Sequence, residues 1–345
     1  MNKSMSVIRH ARTKGLILVT AALLAACSSK ATQSRSIDET FLEIDGSSTV
    51  YPITQKMAEK FNAEPGTNVE LTPTYSGTGG GFKRFCAGES DINNASRPIL
   101  KSEMELCKQN NVAYIELPIA FDALTVVVNG QNTWASEMTT AELKKIWEPA
   151  AQQKITQWSQ VRSSWPDKPL VLFGPGADSG TYDYFTDVIV GQVGASRSDY
   201  IASEDDELLA KGVEQNPNAL GYFGYAYYLE HQDKLKALGI DNGEGIVLPL
   251  AETVQSADYQ PLARPLFIYI NVTAAQKNPL MVKFLDYYMR NAAEVVESVG
   301  YIAFKPEDYM GLYRNFHKTK TGTVFGGEPQ PNLTIKEVLT KQSEY

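Results

Sequence analysis

Three short segments of this chain repeat one grammar: an extended run, a cluster of Ser, Thr and Gly, then helix-like spacing. They are Asp45-Gly46-Ser47-Ser48-Thr49-Val50-Tyr51-Pro52, Tyr75-Ser76-Gly77-Thr78-Gly79-Gly80-Gly81-Phe82-Lys83 and Gly174-Pro175-Gly176-Ala177-Asp178-Ser179-Gly180-Thr181-Tyr182. A helix start has unpaired N–H groups and about half a unit of positive charge. Glycine lets backbone approach a ligand closely, and hydroxyls add donors without adding charge. Together these make an anion site. A single cluster of this kind is ordinarily an N-cap and turn. Three in one chain predict a cleft for a dehydrated oxyanion, built without a pile of lysines. A fourth segment, Asp91-Ile92-Asn93-Asn94-Ala95-Ser96-Arg97-Pro98, adds an arginine whose fork suits bidentate contact with an oxyanion. Taken alone, Arg97 reads as a surface or ion-pair arginine.

Other chemistry finds little material. Of His10, His231 and His317, the first falls in the leader described below. Two distant histidines make a poor start for a zinc site or a Ser-His-Asp triad. The Ser76–Phe85 run lacks the Gly-Lys-Ser/Thr ending of a Walker A loop. Carboxylates at 142–148 and 204–207 have nothing to pair them for acid/base work. No metal, cofactor or catalytic residue is expected. The aromatic run Tyr222–Tyr228 reads as core packing rather than a sugar-stacking surface. A formal charge of −8 argues against general nucleic-acid binding, which needs a basic face.

The elements that must position these clusters follow from patterning. With 43% apolar residues the chain has material for a sizeable core. Residues 1–26 are set apart. Lys3, Arg9, Arg12 and Lys14 precede a short apolar run, Gly15–Leu24, and then Leu24-Ala25-Ala26-Cys27. That is the order of a secretory signal. Its ending resembles a bacterial lipoprotein signal, whose cysteine receives the lipid; an ordinary signal cut nearby is the alternative. Removing four positive charges and no acidic ones takes the net charge from −8 to −12. Residues 27–40 read as a tether. Cys86 and Cys107 then remain, either a disulfide in an oxidising compartment or two buried free thiols.

From residue 41 onward, strands and helices alternate. Strands are expected at 41–45, 68–75, within 113–129, at 169–173 and 265–272, and a strand and turn over 219–228. Helices are expected at 51–61, 80–87, 140–147 (capped by Thr140), 181–190 and 280–299, and the tail from Thr319 should pack loosely. The alternation argues α/β with mostly parallel sheets. Leu124–Val128 and Leu266–Ile270 are the strongest strand signals and bracket the middle of the chain. They should mark crossings between a discontinuous lobe, 41–123 plus 264–345, and a second lobe, 124–263, with a ligand in the hinged cleft.

The four segments, in this order, resemble the phosphate-binding protein of the bacterial high-affinity phosphate ABC importer. DGSSTVYPI, SGTGGGFKRFC, DINNASRPI, LPIAFDALTVVVN and DSGTYDYF carry the likeness, which runs from about Ile44 to Tyr301. The resemblance implies a type II periplasmic binding protein: two α/β lobes with mixed sheets and hinge closure. By matching position it implies that Ser48, Thr49, Ser76, Thr78, Ser96, Arg97, Ser179, Gly180 and Thr181 contact inorganic phosphate. It also implies a monomer, lipid-anchored at Cys27 in the periplasm or at the cell surface, serving the permease subunits of an ABC importer.

Family members carry an arginine four residues before the SGT serine, where this chain has Pro175, and an aspartate at the position of Arg97. The expectation is that the cation has moved to Arg97 and the carboxylate to another loop. Phosphate near neutral pH carries a proton and sulfate does not, so an acceptor-only carboxylate separates the two. Asp178 is the first candidate for it; Glu204, Asp205 and Asp206 follow, in a run that resembles a solvated face. An exported phosphate-ester hydrolase and a surface adhesion protein reusing the fold stay open as other classes.

Overall fold

Two long strands, both buried at every position, form the spine. In the computed structural model, which describes residues 41–65, 69–328 and 330–344, they are Tyr114–Ala123 and Ala263–Asn271, paired antiparallel along their length. The apolar run expected from Leu124 is a separate strand, Thr125–Asn129. Leu124 is the turning point, and its N–H donates to the Leu262 carbonyl at 2.9 Å. The chain segments at Leu124 and Leu262 therefore lie side by side, where the paired strands end.

One sheet has the order Ile44–Gly46, Ile92–Ala95, Ala263–Asn271, Tyr114–Ala123. The other has the order Ile201–Ser203, Val171–Pro175, Ala219–Phe223, Thr125–Asn129, Leu235–Ala237. A small third sheet joins Ile246–Val247, Gly239–Asp241 and Glu137–Thr139. Each of the first two mixes parallel and antiparallel pairs. The expectation of mostly parallel sheets fails where a strand enters from the neighbouring lobe and pairs directly, without a crossover helix.

The helices expected at 51–61, 80–87 and 280–299 are Tyr51–Asn62, Thr78–Cys86 and a single Pro279–Ser298. The Thr140–Trp147 helix is capped by Thr139, one residue earlier than expected; its hydroxyl accepts from Glu142 N–H at 3.1 Å. Two expectations fail more clearly. Among the described residues 69–75 there is no strand, although Thr74 and Ser76 N–H donate to the carbonyls of Ile44 and Gly46. The aromatic run leaves its strand at Phe223 and continues as a helix, Tyr225–Glu230. Among the described residues no helix is long and apolar enough to cross a membrane. Cys27 and the tether lie outside the described residues.

Cys86 and Cys107 form a disulfide. It ties the Thr78–Cys86 helix to Lys101–Gln109. The sequence separation is 21 residues, so the chain-entropy model gives about 3 kcal/mol of stabilisation. Reduction should lower the unfolding free energy by about that amount in denaturant titration. An unchanged midpoint, or an intact mass unchanged by reductant, would contradict it.

The C-terminal tail is tied down, contrary to expectation. The Glu116 carboxylate accepts from Tyr269 OH and Thr323 OH at 2.6 Å each, from Gln342 Nε2 at 3.1 Å and from Val324 N–H at 3.3 Å. Gln342 lies in a final helix, Ile335–Glu344. Burial pushes the Glu116 carboxyl up to about 7 from its usual 4.5, against those four donors. A folded-state pKa above the unfolded one means stability is full below pH 4.5 and is lost as pH rises through 7. Glu116→Gln should therefore flatten the fall in Tm between about pH 5 and pH 8. Parallel curves for variant and wild type would place that loss elsewhere.

Candidate functional site

The centre of the site grows out of the spine. Arg264 and Asp122 face each other in the antiparallel register, two charged residues inside buried and largely apolar strands. Neither has any exposed surface. Arg264 Nε and Nη2 donate to Asp122 Oδ2 at 3.1 and 2.9 Å, and the other carboxylate oxygen accepts the Tyr225 N–H at 3.0 Å. A buried guanidinium must spend its donors on partners. Nη1 donates to the Gly180 carbonyl at 3.2 Å, and Nη2 reaches Thr181 Oγ1 at 2.8 Å and Thr49 Oγ1 at 3.4 Å. One arginine of the first sheet thus holds groups from both lobes.

Those groups are the predicted ones. Thr49 ends the loop leaving strand Ile44–Gly46; Thr181 is in the first turn of the Gly180–Phe185 helix. Their hydroxyls meet at 3.0 Å. Ser179 caps that helix, its hydroxyl accepting the Thr181 N–H at 3.1 Å. From the other side Thr78, at the start of the Thr78–Cys86 helix, meets Ser96 hydroxyl to hydroxyl at 3.2 Å, and the Ser96 N–H donates to Thr78 Oγ1 at 3.2 Å. Both hydroxyls press on Gly180, where a Cβ would lie 2.5 Å from Thr78 Oγ1 and 2.6 Å from Ser96 Oγ. Only glycine fits between the lobes there. The Gly79 N–H donates to the Asp178 carbonyl at 2.8 Å, closing the same seam. Ser48 is buried beside Thr49, and its carbonyl accepts from Tyr227 OH at 2.9 Å.

One buried carboxylate beside Thr49 belongs to Asp206. Asp205 caps the Asp206–Gln215 helix. Leu209, Ala210 and Val213 of that helix bury in a small cluster with Val127, Phe173 and Phe223. This packing turns Asp206, the first helical residue, inward. It is 1% exposed. Its Oδ2 accepts from the Thr49 hydroxyl at 3.4 Å, and its Oδ1 has no partner. Burial pushes its carboxyl up to about 7, with Arg264 pulling it down and Asp122 adding to the rise. Tyr301 OH is likewise buried and unpartnered, and Gly224 is held between it and Thr49: a Cβ there would lie 2.9 Å from Tyr301 OH and from Thr49 Cγ2.

Other predicted residues stand elsewhere. Ser76 Oγ donates to Asp45 Oδ2 at 2.9 Å, and Arg84 fixes that carboxylate at 2.5 Å. Asp178 is half-exposed, with its carboxylate on Lys83 at 2.5 Å. Lys83 and solvent satisfy it, so it does not enter the cluster. Arg97 is buried, but its guanidinium is taken up by Glu103 and Asp183. The cation at the centre is Arg264, which sequence reasoning missed, together with Asp122. The signal was available: a charge within an apolar run, in Ala263-Arg-Pro-Leu-Phe and in Ala120-Phe-Asp-Ala-Leu, is rarely buried without a partner. Asp206 had no such signal within its acidic run. Among the described residues no three His, Cys, Asp or Glu side chains are placed to hold a metal ion.

Comparison with known proteins places this geometry. Residues 28–292 match the PBP superfamily domain. Protein SphX of Synechocystis sp. is 54% identical over 304 residues, 88% of this chain and 90% of the relative. The phosphate-binding protein PstS of Staphylococcus haemolyticus is 34% identical over 277 residues, 79% of this chain and 84% of its own. Among solved structures, a possible phosphate-binding protein from Planctomyces limnophilus has a TM-score of 0.59 at 43% identity, covering 81% of this chain and 98% of that one. A putative phosphate ABC transporter substrate-binding protein from Clostridium perfringens, solved with bound phosphate, has a TM-score of 0.64 at 25% identity, covering 77% of this chain and all of that one. With its two mixed-sheet lobes, the chain has the type II periplasmic binding protein fold and belongs to the PBP superfamily, in the group of the PstS and SphX proteins.

Proposed function

We propose that this chain binds inorganic phosphate between its lobes and delivers it to the permease subunits of an ABC importer, acting as a binding protein without catalysis. The observation that carries this is the buried Arg264, joined to the Thr49 and Thr181 hydroxyls from opposite lobes and flanked by an unpartnered Asp206 oxygen. A tetrahedral oxyanion would replace the hydroxyl–hydroxyl contacts. It would accept from Thr49 and Thr181, from Thr78 and Ser96, and from the guanidinium. Asp206 then takes the role expected of Asp178, accepting the proton of monohydrogen phosphate.

The lobes of this reading are 41–123 plus 264–345, and 124–263, divided where Leu124 and Leu262 meet. The named relatives and the phosphate-bound neighbour support the ligand and the transporter class. Lipidation at Cys27, which rests on the signal-like leader, and work as a monomer at a bacterial membrane surface, which rests on the family likeness, complete the proposal.

Isothermal titration of ligand-stripped protein with phosphate and with sulfate at pH 8 tests it. One-to-one phosphate binding, with sulfate silent, is expected. If neither anion binds, or if phosphate esters are turned over, the reading fails. The proton-reading role has its own sign. Asp206 titrates near pH 7, so it is ionised above that pH and repels sulfate. Below it the protonated acid becomes a donor. Sulfate affinity should therefore rise as pH falls from 8 to 5.5, by about tenfold for each 1.4 kcal/mol of relieved repulsion. Asp206→Asn should bind sulfate already at pH 8 and lose that pH dependence; a variant as selective as wild type would remove Asp206 from the role.

A further inference from the structure

Arg97 stands where the family resemblance implies an anion ligand, yet its surroundings suit another task. It is 6% exposed. Nη1 and Nη2 donate bidentately to Glu103 Oε2 and Oε1, both at 2.8 Å, and Nη1 also donates to the Pro98 carbonyl at 3.1 Å. Nε donates to Asp183 Oδ2 at 2.7 Å. All three nitrogens are occupied. Every acceptor is a carboxylate or carbonyl oxygen; unlike the threonine hydroxyls on Arg264, none can turn to donate to an anion.

The trio spans the cleft. Arg97 follows strand Ile92–Ala95, and Glu103 lies on Lys101–Gln109, which the disulfide ties to the helix that starts at Thr78. Asp183 belongs to the other side, on the Gly180–Phe185 helix, two residues after Thr181. The buried bonds of Arg264, Thr49, Gly79 and Tyr227 across the seam belong to the hydroxyl cluster itself; the side-chain pairs outside that cluster are weaker by their setting. Lys83–Asp178 is solvent-exposed on both sides, and Tyr75 OH to Asp205 at 3.1 Å lies at the surface. Exposed pairs contribute little, whereas a buried charge-assisted bond contributes more.

We propose that Arg97, Glu103 and Asp183 form a cross-lobe clamp that sets how long the anion is retained, not which anion is chosen. Glu103 holds the guanidinium in place on its own lobe whether the cleft is open or shut. Asp183 engages when the lobes meet and fixes the helix bearing Ser179, Gly180 and Thr181 against Thr78 and Ser96. Arg97 is thus a positioning residue. The inference deepens the phosphate-binding reading and rests on it.

Stopped-flow measurement of phosphate association and release tests the clamp, using Asp183→Asn, which keeps the shape, and Asp183→Ala. Release should be about 10- to 100-fold faster, the size of one charge-assisted hydrogen bond. The association rate should stay within about twofold, because the clamp closes after encounter. The phosphate-to-sulfate affinity ratio should not move, and Asp183→Glu should restore part of the slow release. Unchanged release would overturn the clamp. So would slower association with an altered anion ratio, which would return Arg97 to the anion. If wild type itself is silent to phosphate, the binding reading fails and the clamp is judged by X-ray scattering: Asp183→Ala should have a larger radius of gyration than wild type, and equal radii would overturn it.

Discussion

The Arg264–Asp122 pair is the constraint on which the rest of the site depends. Both groups are removed from water, where an unpaired charge costs several kcal/mol. The cross-strand register brings them face to face, but Asp122 uses only one oxygen for the arginine. The remaining guanidinium hydrogens must find acceptors, and the nearest are the Gly180 carbonyl and two threonine hydroxyls. The demand for satisfied donors therefore draws the first loop and the Gly180–Phe185 helix to one point. It does so next to the point where the Leu124 N–H meets the Leu262 carbonyl, two residues along the chain from Asp122 and Arg264.

Around that charge the protein uses neutral donors. Thr49, Thr181, Thr78 and Ser96 are all buried and contribute hydroxyls alone. This suits a chain of formal charge −8, whose overall field disfavours an anion. Attraction must be short-ranged, from a single desolvated arginine and from dipoles that lose little by desolvation. The same dry setting makes Asp206 consequential. In water its carboxyl would be ionised and unremarkable; buried beside Thr49 with one oxygen unpartnered, it sits near the middle of the physiological range.

Much of this was legible in the residues. Helix starts at Tyr51, Thr78 and Gly180 follow from the Ser/Thr/Gly clusters, and the spine strands follow from their apolar runs. The pairing of Cys86 with Cys107 was one of two open readings. What local pattern could not supply was partnership across long sequence distances. Arg97 and Asp178 were singled out because they lie inside the motifs. Tertiary contacts spend both: Arg97 on Glu103 and Asp183, Asp178 on Lys83. Arg264 and Asp206 lie outside the motifs and are brought in by strand register and helix packing. The tail misled for the same reason. Its polar composition hides a buried acceptor, Glu116, more than 200 residues away in sequence, that gathers Thr323, Val324 and Gln342.

Separating recognition from retention has a physical logic on this reading. A carrier must bind its ligand against competitors and also give it up to a partner. If the same charge both chose the anion and locked the cleft, weakening the lock would blur the choice. Here choice falls to Arg264 and Asp206, which lie next to the hydroxyl cluster and are fully desolvated. Locking falls to Asp183 on Arg97, one bond at the edge of the cleft between side chains with slight residual exposure. A partner that pulled the lobes apart would break that bond along with those of the hydroxyl cluster, while Glu103 kept Arg97 paired and Asp122 kept Arg264 paired, so opening would leave no bare buried cation. The energy gap between shut and open can then stay within the few kcal/mol that a bound ligand or a docked partner is able to shift.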